Sequence, residues 1–126
     1  MSRRLLLVDD APDIRAIAGV SLERVGDWSV VTAASGQEAI DALAHDGPFD
    51  AVVLDVMMPG MDGPATLAGL RRRGLGGAPV VFLTAKTQAS ERRRLEAMGV
   101  AGVIFKPFDP IAMPSELDRI VAGGDH

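Results

Sequence analysis

The chain predicts an α/β fold in which five parallel strands form one sheet covered by helices on both faces. Two observations predict it. Five short apolar runs, Leu5 to Val8, Trp28 to Ala33, Ala51 to Leu54, Val80 to Leu83 and Val103 to Phe105, recur along the sequence, and each gap between them holds a segment of helical periodicity. A short continuous apolar run fits a strand buried on both faces, and such strands alternating with helices build a parallel sheet. With 126 residues, the sequence fits one domain able to bury roughly two thirds of the surface its unfolded form exposes.

Each element has its own signal. The first strand, Leu5-Leu6-Leu7-Val8, is followed at once by Asp9-Asp10. Ile14, Ile17, Ala18, Leu22 and Val25 then recur at helical spacing and predict one buried face. Trp28 opens the second strand and is expected to pack there. The second helix opens on Ser35-Gly36-Gln37-Glu38, a capping-box pattern, and buries Ala39, Ile40 and Leu43, with His45 near its C-terminal dipole. The third strand runs into Asp55. Asp62 is the expected N-cap of the third helix, whose apolar positions are Leu67 and Leu70 and whose end falls near Gly74. The fourth strand leads into Thr84 and Lys86, and the fourth helix reaches about Met98 with Gly99 as a left-handed terminator. After the fifth strand comes Lys106. Pro110 and Pro114 do not both fit inside the last helix, so it starts at Pro114, where a missing N–H costs nothing, and ends before Gly123.

Composition removes several classes of function. Hydrophobic residues make up 48% of the chain, yet no apolar run approaches the roughly eighteen residues a membrane span needs. The apolar run after Met1-Ser2-Arg3-Arg4 is too short for a signal peptide, and the absence of cysteine excludes disulfides and thiolate metal sites, so a cytoplasmic location without membrane insertion is expected. A net charge of −4 gives no global drive toward nucleic acid. The runs Arg71-Arg72-Arg73 and Arg92-Arg93-Arg94 fall in helices, where consecutive residues fan around the axis as solvated faces.

The chemistry concentrates in residues that end strands. Carboxyl ends of strands in an open α/β sheet form the crevice where ligands bind, so Asp9, Asp10 and Asp55 can meet there. Three carboxylates about 5 Å apart repel by about 10 kcal/mol in total at an effective dielectric near 20, and therefore need a cation or a proton. Oxygen ligands select a hard cation, and Mg²⁺ suits a site with few carboxylates that leaves positions for water and a phosphoryl oxygen. Only two lysines stand among the 13 basic residues, and both follow strands. Lys106 reaches the same rim as the aspartates with a compact charge able to contact a carboxylate and a phosphoryl oxygen together. The Thr84 hydroxyl can bond a phosphoryl oxygen.

These residues stand in motifs: VDD at Val8 to Asp10, LDVMMPGMDG at Leu54 to Gly63, FLTAK at Phe82 to Lys86 and KPF at Lys106 to Phe108. In that order and spacing the chain resembles the receiver domain of bacterial response regulators, of the stand-alone chemotaxis type, from Leu5 to about Val121. The resemblance implies a (βα)5 doubly wound, flavodoxin-like sheet of strand order 2-1-3-4-5, and a single receiver domain over residues 1–126 without an output domain. It implies that Asp55 is the phosphoacceptor of a two-component system and takes its phosphoryl group from a phosphohistidine of a histidine kinase or histidine phosphotransfer protein. Asp9, Asp10, Asp55 and the backbone carbonyl of Met57 would hold Mg²⁺, while Thr84 and Lys106 would bind the phosphoryl oxygens across a site beside a cis Lys106-Pro107 peptide. Such a protein is no enzyme toward external substrates beyond self-catalysed phosphotransfer and autodephosphorylation. It signals through a downstream protein target or a phosphorylation-dependent homodimer. Met57 and Lys86 occupy positions where the family tunes acyl-phosphate lifetime.

One position departs from the pattern. Three residues before the lysine, where receivers commonly carry Tyr or Phe as a switch partner of the threonine, stands Val103, which leaves the coupling of Thr84 to the surface open; Phe105 is a candidate substitute, although plain core packing is the role its position favours. Other functions compete. An adaptor that keeps the fold without cycling phosphate is left open by Val103 and opposed by the intact acidic trio, Thr84 and Lys106. A Mg²⁺-dependent phosphohydrolase working through an aspartyl phosphate would want an acid two residues after its nucleophile, where Met57 stands. A dinucleotide-binding module lacks its glycine-rich turn after the first strand.

Overall fold

Strands β1 (Arg3–Val8), β2 (Trp28–Ala33), β3 (Ala51–Asp55), β4 (Val80–Thr84) and β5 (Gly102–Phe105) pair in the order β2-β1-β3-β4-β5, all parallel, in a computed structural model that describes residues 3–123. The order is the expected one. Because side chains alternate along a strand, each strand feeds two separate cores. Leu6, Val8, Val52, Leu54, Val80, Phe82 and Val103 face one way and pack beneath α2 (Gly36–Asp46), α3 (Gly63–Arg72) and α4 (Ala89–Glu96). Leu5, Leu7, Ala51, Val53, Val81, Leu83 and Ile104 face the other way, toward α1 (Pro12–Val20) and α5 (Met113–Gly123). Strands buried on both sides explain why the sequence shows apolar runs without alternation.

Local chemistry sets the helix ends. Ser35 accepts a hydrogen bond from the Glu38 N–H at 3.1 Å, and Glu38 reaches back to the Ala34 N–H at 2.9 Å, one residue ahead of the N-cap itself. Asp62 caps α3 by accepting from the Ala65 N–H at 2.9 Å. Gly74 and Gly99 adopt φ of +71° and +80°, the left-handed turns expected after α3 and α4, although α4 itself ends sooner than expected, at Glu96. The last helix begins at Met113 and includes Gly123. The Lys106-Pro107 peptide is cis, as is Gly47-Pro48. Trp28 packs at the start of β2 as expected, its Nε1–H donating to Asp118 at 3.2 Å.

The face predicted for α1 needs correction. Ala18 and Leu22 are buried and Ile14 packs against that core, whereas Ile17 and Val25 are each 48% exposed. At about 100° per residue, Ile17 lies on the shoulder of the narrow stripe that Ile14, Ala18 and Leu22 define. Past Val20 the helix widens into a π-helical turn, Ser21–Val25, whose longer hydrogen-bonded loop rotates Val25 off the face. One arginine also departs from the solvated-face reading: Arg71 donates to the carbonyls of Met98 and Gly99, at 2.6 and 3.1 Å, and ties α3 to the end of α4. Among the described residues no helix is long and apolar enough to cross a membrane.

Gly63 fixes the approach of α3 to the end of β3. A Cβ there would stand 2.6 Å from the Asp55 carbonyl oxygen and 2.8 Å from the Val56 Cα, both rigid backbone. Its N–H bonds the Val56 carbonyl at 2.9 Å. Gly63→Ala is therefore expected to cost about 1–3 kcal/mol, the range for overpacking a closed contact. Urea unfolding with the midpoint unchanged from the native sequence would show that α3 can back away freely.

Candidate functional site

Strand register builds the site. Val8 pairs with Ala33 on one side and Leu54 on the other, Asp55 pairs with Leu83, and Thr84 pairs with Phe105. The residues that follow or end these strands therefore share one rim. β1 lies between β2 and β3, so the chain reverses its direction of winding there, the place in an open sheet where a crevice forms.

Asp9 is fully buried and fixed from three sides. Its N–H donates to the Ala33 carbonyl at 3.1 Å, its Oδ1 accepts from the Ala11 N–H at 2.9 Å, and its carbonyl accepts from Arg15 at 2.7 Å. Its Oδ2 lies 2.9 Å from Lys106 Nζ, off the line of a hydrogen bond, and has no hydrogen-bond partner. Asp55, 3% exposed, accepts from Lys106 Nζ at 3.1 Å through Oδ1. Asp10 is exposed, and a carboxylate oxygen from each of Asp9, Asp10 and Asp55 lies within 4.8 Å of the others. The sequence expectation that these three aspartates and Lys106 converge holds in the structure.

Three carboxylates face one ammonium, which leaves an excess of two negative charges when all are ionised. The result appears in Asp55, whose pKa is pushed up to about 6 by burial and then by the Asp9 charge, against the opposing pull of Lys106. For Lys106 burial works against the charged form, but its contacts with Asp9 and Asp55 outweigh it and raise the pKa above the ordinary lysine value. An all-oxygen donor set, with a buried Asp9 oxygen that makes no hydrogen bond and meets only the Lys106 charge, fits a small hard cation such as Mg²⁺.

The other expected residues are placed differently. Thr84 is buried at the same rim, where its hydroxyl accepts from the Lys86 N–H at 3.1 Å and its carbonyl accepts from the Lys106 N–H at 2.8 Å. Its side chain makes no hydrogen bond to the aspartates. Met57, 60% exposed, sits in the loop after β3. Lys86 stands outside the cluster, 3.9 Å from Glu91, and Val103 is buried in register with Phe82. Two contacts escaped the sequence. Arg15 holds the Asp9 carbonyl, and Arg92 of α4 lies over the Phe105 ring at 5.5 Å from its centroid. Neither belongs to a motif: Arg15 reaches back six residues from the first turn of α1, and Arg92 meets Phe105 across the packing of α4 on β5.

Comparison with known proteins agrees with this geometry. Residues 5–118 match the model of the response regulator receiver domain, and the chain belongs to that family. Over 118 residues it is 42% identical to response regulator Rre1 of Synechocystis, covering 93% of this chain and 49% of that protein. Against response regulator SaeR of Staphylococcus aureus the identity is 39% over 117 residues, covering 93% and 50%. The chain thus spans about half the length of these curated relatives. Among solved structures, the chemotaxis response regulator CheY4 of Vibrio cholerae superposes with a TM-score of 0.84 at 32% identity, covering 95% of this chain and 99% of that one.

The raised Asp55 pKa has a consequence for stability. Between about pH 4 and pH 6 the folded metal-free chain keeps a proton there that the unfolded chain has lost, so this group lowers stability as pH rises through that window. A divalent cation held by this cluster would bind the charged form and offset the loss. Mg²⁺ is expected to raise Tm more at about pH 7.5, where a hundredfold excess over Kd is equivalent to about 2.7 kcal/mol in all, than at about pH 5, where a proton competes for Asp55. Equal shifts at the two pH values in differential scanning fluorimetry would count against metal binding at this carboxylate.

Proposed function

We propose that this chain is a phosphoacceptor switch of two-component signalling, with Asp55 taking a phosphoryl group from the phosphohistidine of a histidine kinase or histidine phosphotransfer protein. One observation carries the reading: Asp55 is buried at the end of β3 with Lys106 Nζ 3.1 Å away, beside Asp9 and Asp10. Asp9, Asp10, Asp55 and the Met57 carbonyl are the proposed holders of Mg²⁺, which when bound neutralises phosphoryl oxygens and screens the carboxylates from one another.

Phosphoryl transfer asks the protein for alignment and charge neutralisation more than for covalent help. In this reading an Asp55 carboxylate oxygen forms the new bond to phosphorus while the bond from phosphorus to the imidazole nitrogen breaks, and the imidazole leaves with that electron pair. Lys106, already drawn into the cluster, bonds a phosphoryl oxygen in place of its present contact with Asp55. Thr84 supplies a second donor once its hydroxyl turns from the Lys86 amide. The acyl phosphate carries about one more negative charge than the carboxylate, and that charge is the signal. The output is contact with a downstream protein, in the cytoplasm, with a phosphorylation-dependent homodimer as one form it can take.

A protein donor needs a docking surface near the acceptor. Ile17, Val20, Val25 and Ile111 leave 48%, 54%, 48% and 70% of their areas exposed, and with Pro110 they line one open apolar groove of about 530 Å³. The groove adjoins the site. Arg15 of the same helix holds Asp9, and Pro110 lies in the loop that follows Lys106. This continuity supports the groove as the seat of a helix of the phosphohistidine donor. A second reading, an adaptor that keeps the fold without cycling phosphate, is favoured only by the buried aliphatic Val103.

Two measurements test the reading. Incubation with Mg²⁺ and acetyl phosphate is expected to add one phosphoryl group by intact mass, and Asp55→Asn to abolish the addition; labelling that survives the substitution rejects the site. Ile111→Asp is expected to slow transfer from a phosphorylated histidine kinase about tenfold, equivalent to ~1.4 kcal/mol, and to leave acetyl phosphate labelling within about twofold. Equal slowing with both donors would point to damage at the site and remove the docking role.

A further inference from the structure

We propose that α4 senses the state of the acidic site through a contact between Phe105 and Arg92, which carries the coupling that the aliphatic Val103 does not supply. The inference rests on the phosphoacceptor reading and adds the residues through which it would be relayed. Val103 is 3% exposed and locked in the core in register with Phe82, with no polar atom and no aromatic face to offer. Phe105 occupies a different place. It is half-buried, shares the face of the sheet that carries α4, pairs in register with Thr84, and immediately precedes Lys106.

Both proposed phosphoryl ligands therefore meet at this residue. The Lys106 N–H bonds the Thr84 carbonyl at 2.8 Å, so a displacement of Lys106 or Thr84 toward a phosphoryl group is felt at the Phe105 backbone between them. On the outer side of the ring lies the Arg92 guanidinium, 5.5 Å from the centroid, within the ~6 Å at which a cation is attracted to an aromatic face. Arg92 is half exposed and also pairs with Glu96 at 3.3 Å, one turn further along α4. The contact is thus an exposed latch that a small rotation of the ring opens or tightens.

The helix it grips is easily biased. Leu95 is the one buried side chain of α4, and its other ties are polar: Lys86 pairs with Glu91 at 3.9 Å at its start, and Arg71 donates to the Met98 and Gly99 carbonyls just past its end. Lys86 follows Thr84 by two residues, and its N–H is held by the Thr84 hydroxyl. If that hydroxyl turns toward a phosphoryl group, the loop leading into α4 loses its anchor as the ring beneath α4 moves. An element held by a single apolar residue and a few polar contacts at the surface is the kind whose two arrangements a local change can exchange.

Hydrogen exchange followed by mass spectrometry over residues 87–98, with and without Mg²⁺ and acetyl phosphate, tests the relay in the native sequence, Arg92→Gln, Phe105→Leu and the double variant. The native chain is expected to change its exchange rate in α4 on phosphorylation. Each single variant is expected to take up one phosphoryl group to a similar extent while losing at least about threefold of the α4 response, with the double variant no worse than either single one. Arg92→Gln alters only a surface side chain and so folds whatever Phe105→Leu does. A full α4 response in phosphorylated Arg92→Gln and Phe105→Leu overturns the relay, as does a phosphorylated native chain whose α4 does not respond. Failure of the native chain to take up phosphate is a different result and overturns the phosphoacceptor reading instead.

Discussion

Everything distinctive about this molecule follows from forcing three carboxylates and one ammonium into a space of about 5 Å at the rim of a parallel sheet. Left to themselves the aspartates would separate or take up protons. They cannot separate, because Asp9 follows β1, Asp55 ends β3, and the register that pairs Val8 with Leu54 is fixed by side chains buried on both faces. A one-residue slip would turn every one of those side chains to the wrong core. The two apolar layers therefore hold a local arrangement that electrostatics opposes, and Asp55 has its pKa raised first by its burial there and then by the Asp9 charge. A structure that stores repulsion in this way is predisposed to take up a cation and then to respond to any further change of charge.

The distribution of basic residues around the sheet reinforces this division. At the N-terminal edge the arginines act as staples: Arg3 stacks on Trp28 and pairs with Asp118, while Arg4 covers Phe49 and donates to the carbonyls of Asp46 and Pro48. Planar guanidinium groups suit such stacked and forked contacts. At the opposite rim the charge facing the aspartates is a lysine, whose point-like ammonium sits within reach of two carboxylates at once and can change partners without leaving a fixed fork unsatisfied. One edge is built to stay still, the other to exchange contacts.

How much of this the sequence disclosed depends on the range of the interaction. Strands and caps were legible because their causes are local: apolar runs mark β1 to β5, and Ser35, Asp62, Gly74 and Gly99 act within one turn of where they stand. The acidic trio and Lys106 were legible because a strand end is a position in the fold as well as in the sequence. Ile17 and Val25 were misassigned to the buried face because an ideal helical period takes no account of the narrow stripe α1 buries or of the π-helical turn beyond Val20. Arg92 on Phe105 left no local trace, since α4 and β5 meet only after the sheet has formed, and Arg15 on Asp9, though six residues away, depends on the geometry of the β1–α1 loop rather than on any repeating pattern. The orientation of Thr84 was hidden for a local reason: the residue is visible in the sequence, but its bond to the Lys86 amide is set by the loop conformation.

The magnitudes say where a charge signal can go. Moving α2 or α3 would expose Ala39, Ile40 and Leu43, or Leu67 and Leu70 with the tight seat of Gly63. At about 1.5–3 kcal/mol for each large apolar side chain, such movements exceed what one chemical event at the rim supplies. Shifting α4 disturbs Leu95 alone among buried side chains, a cost of about 2–3 kcal/mol, which one or two hydrogen bonds to a charged group can offset at about 1.5–3 kcal/mol each. Of the three helices on that face of the sheet, the least anchored is thus also the one next to Thr84 and Phe105. On energetic grounds a new charge at Asp55 would be expressed there before it moved α2 or α3.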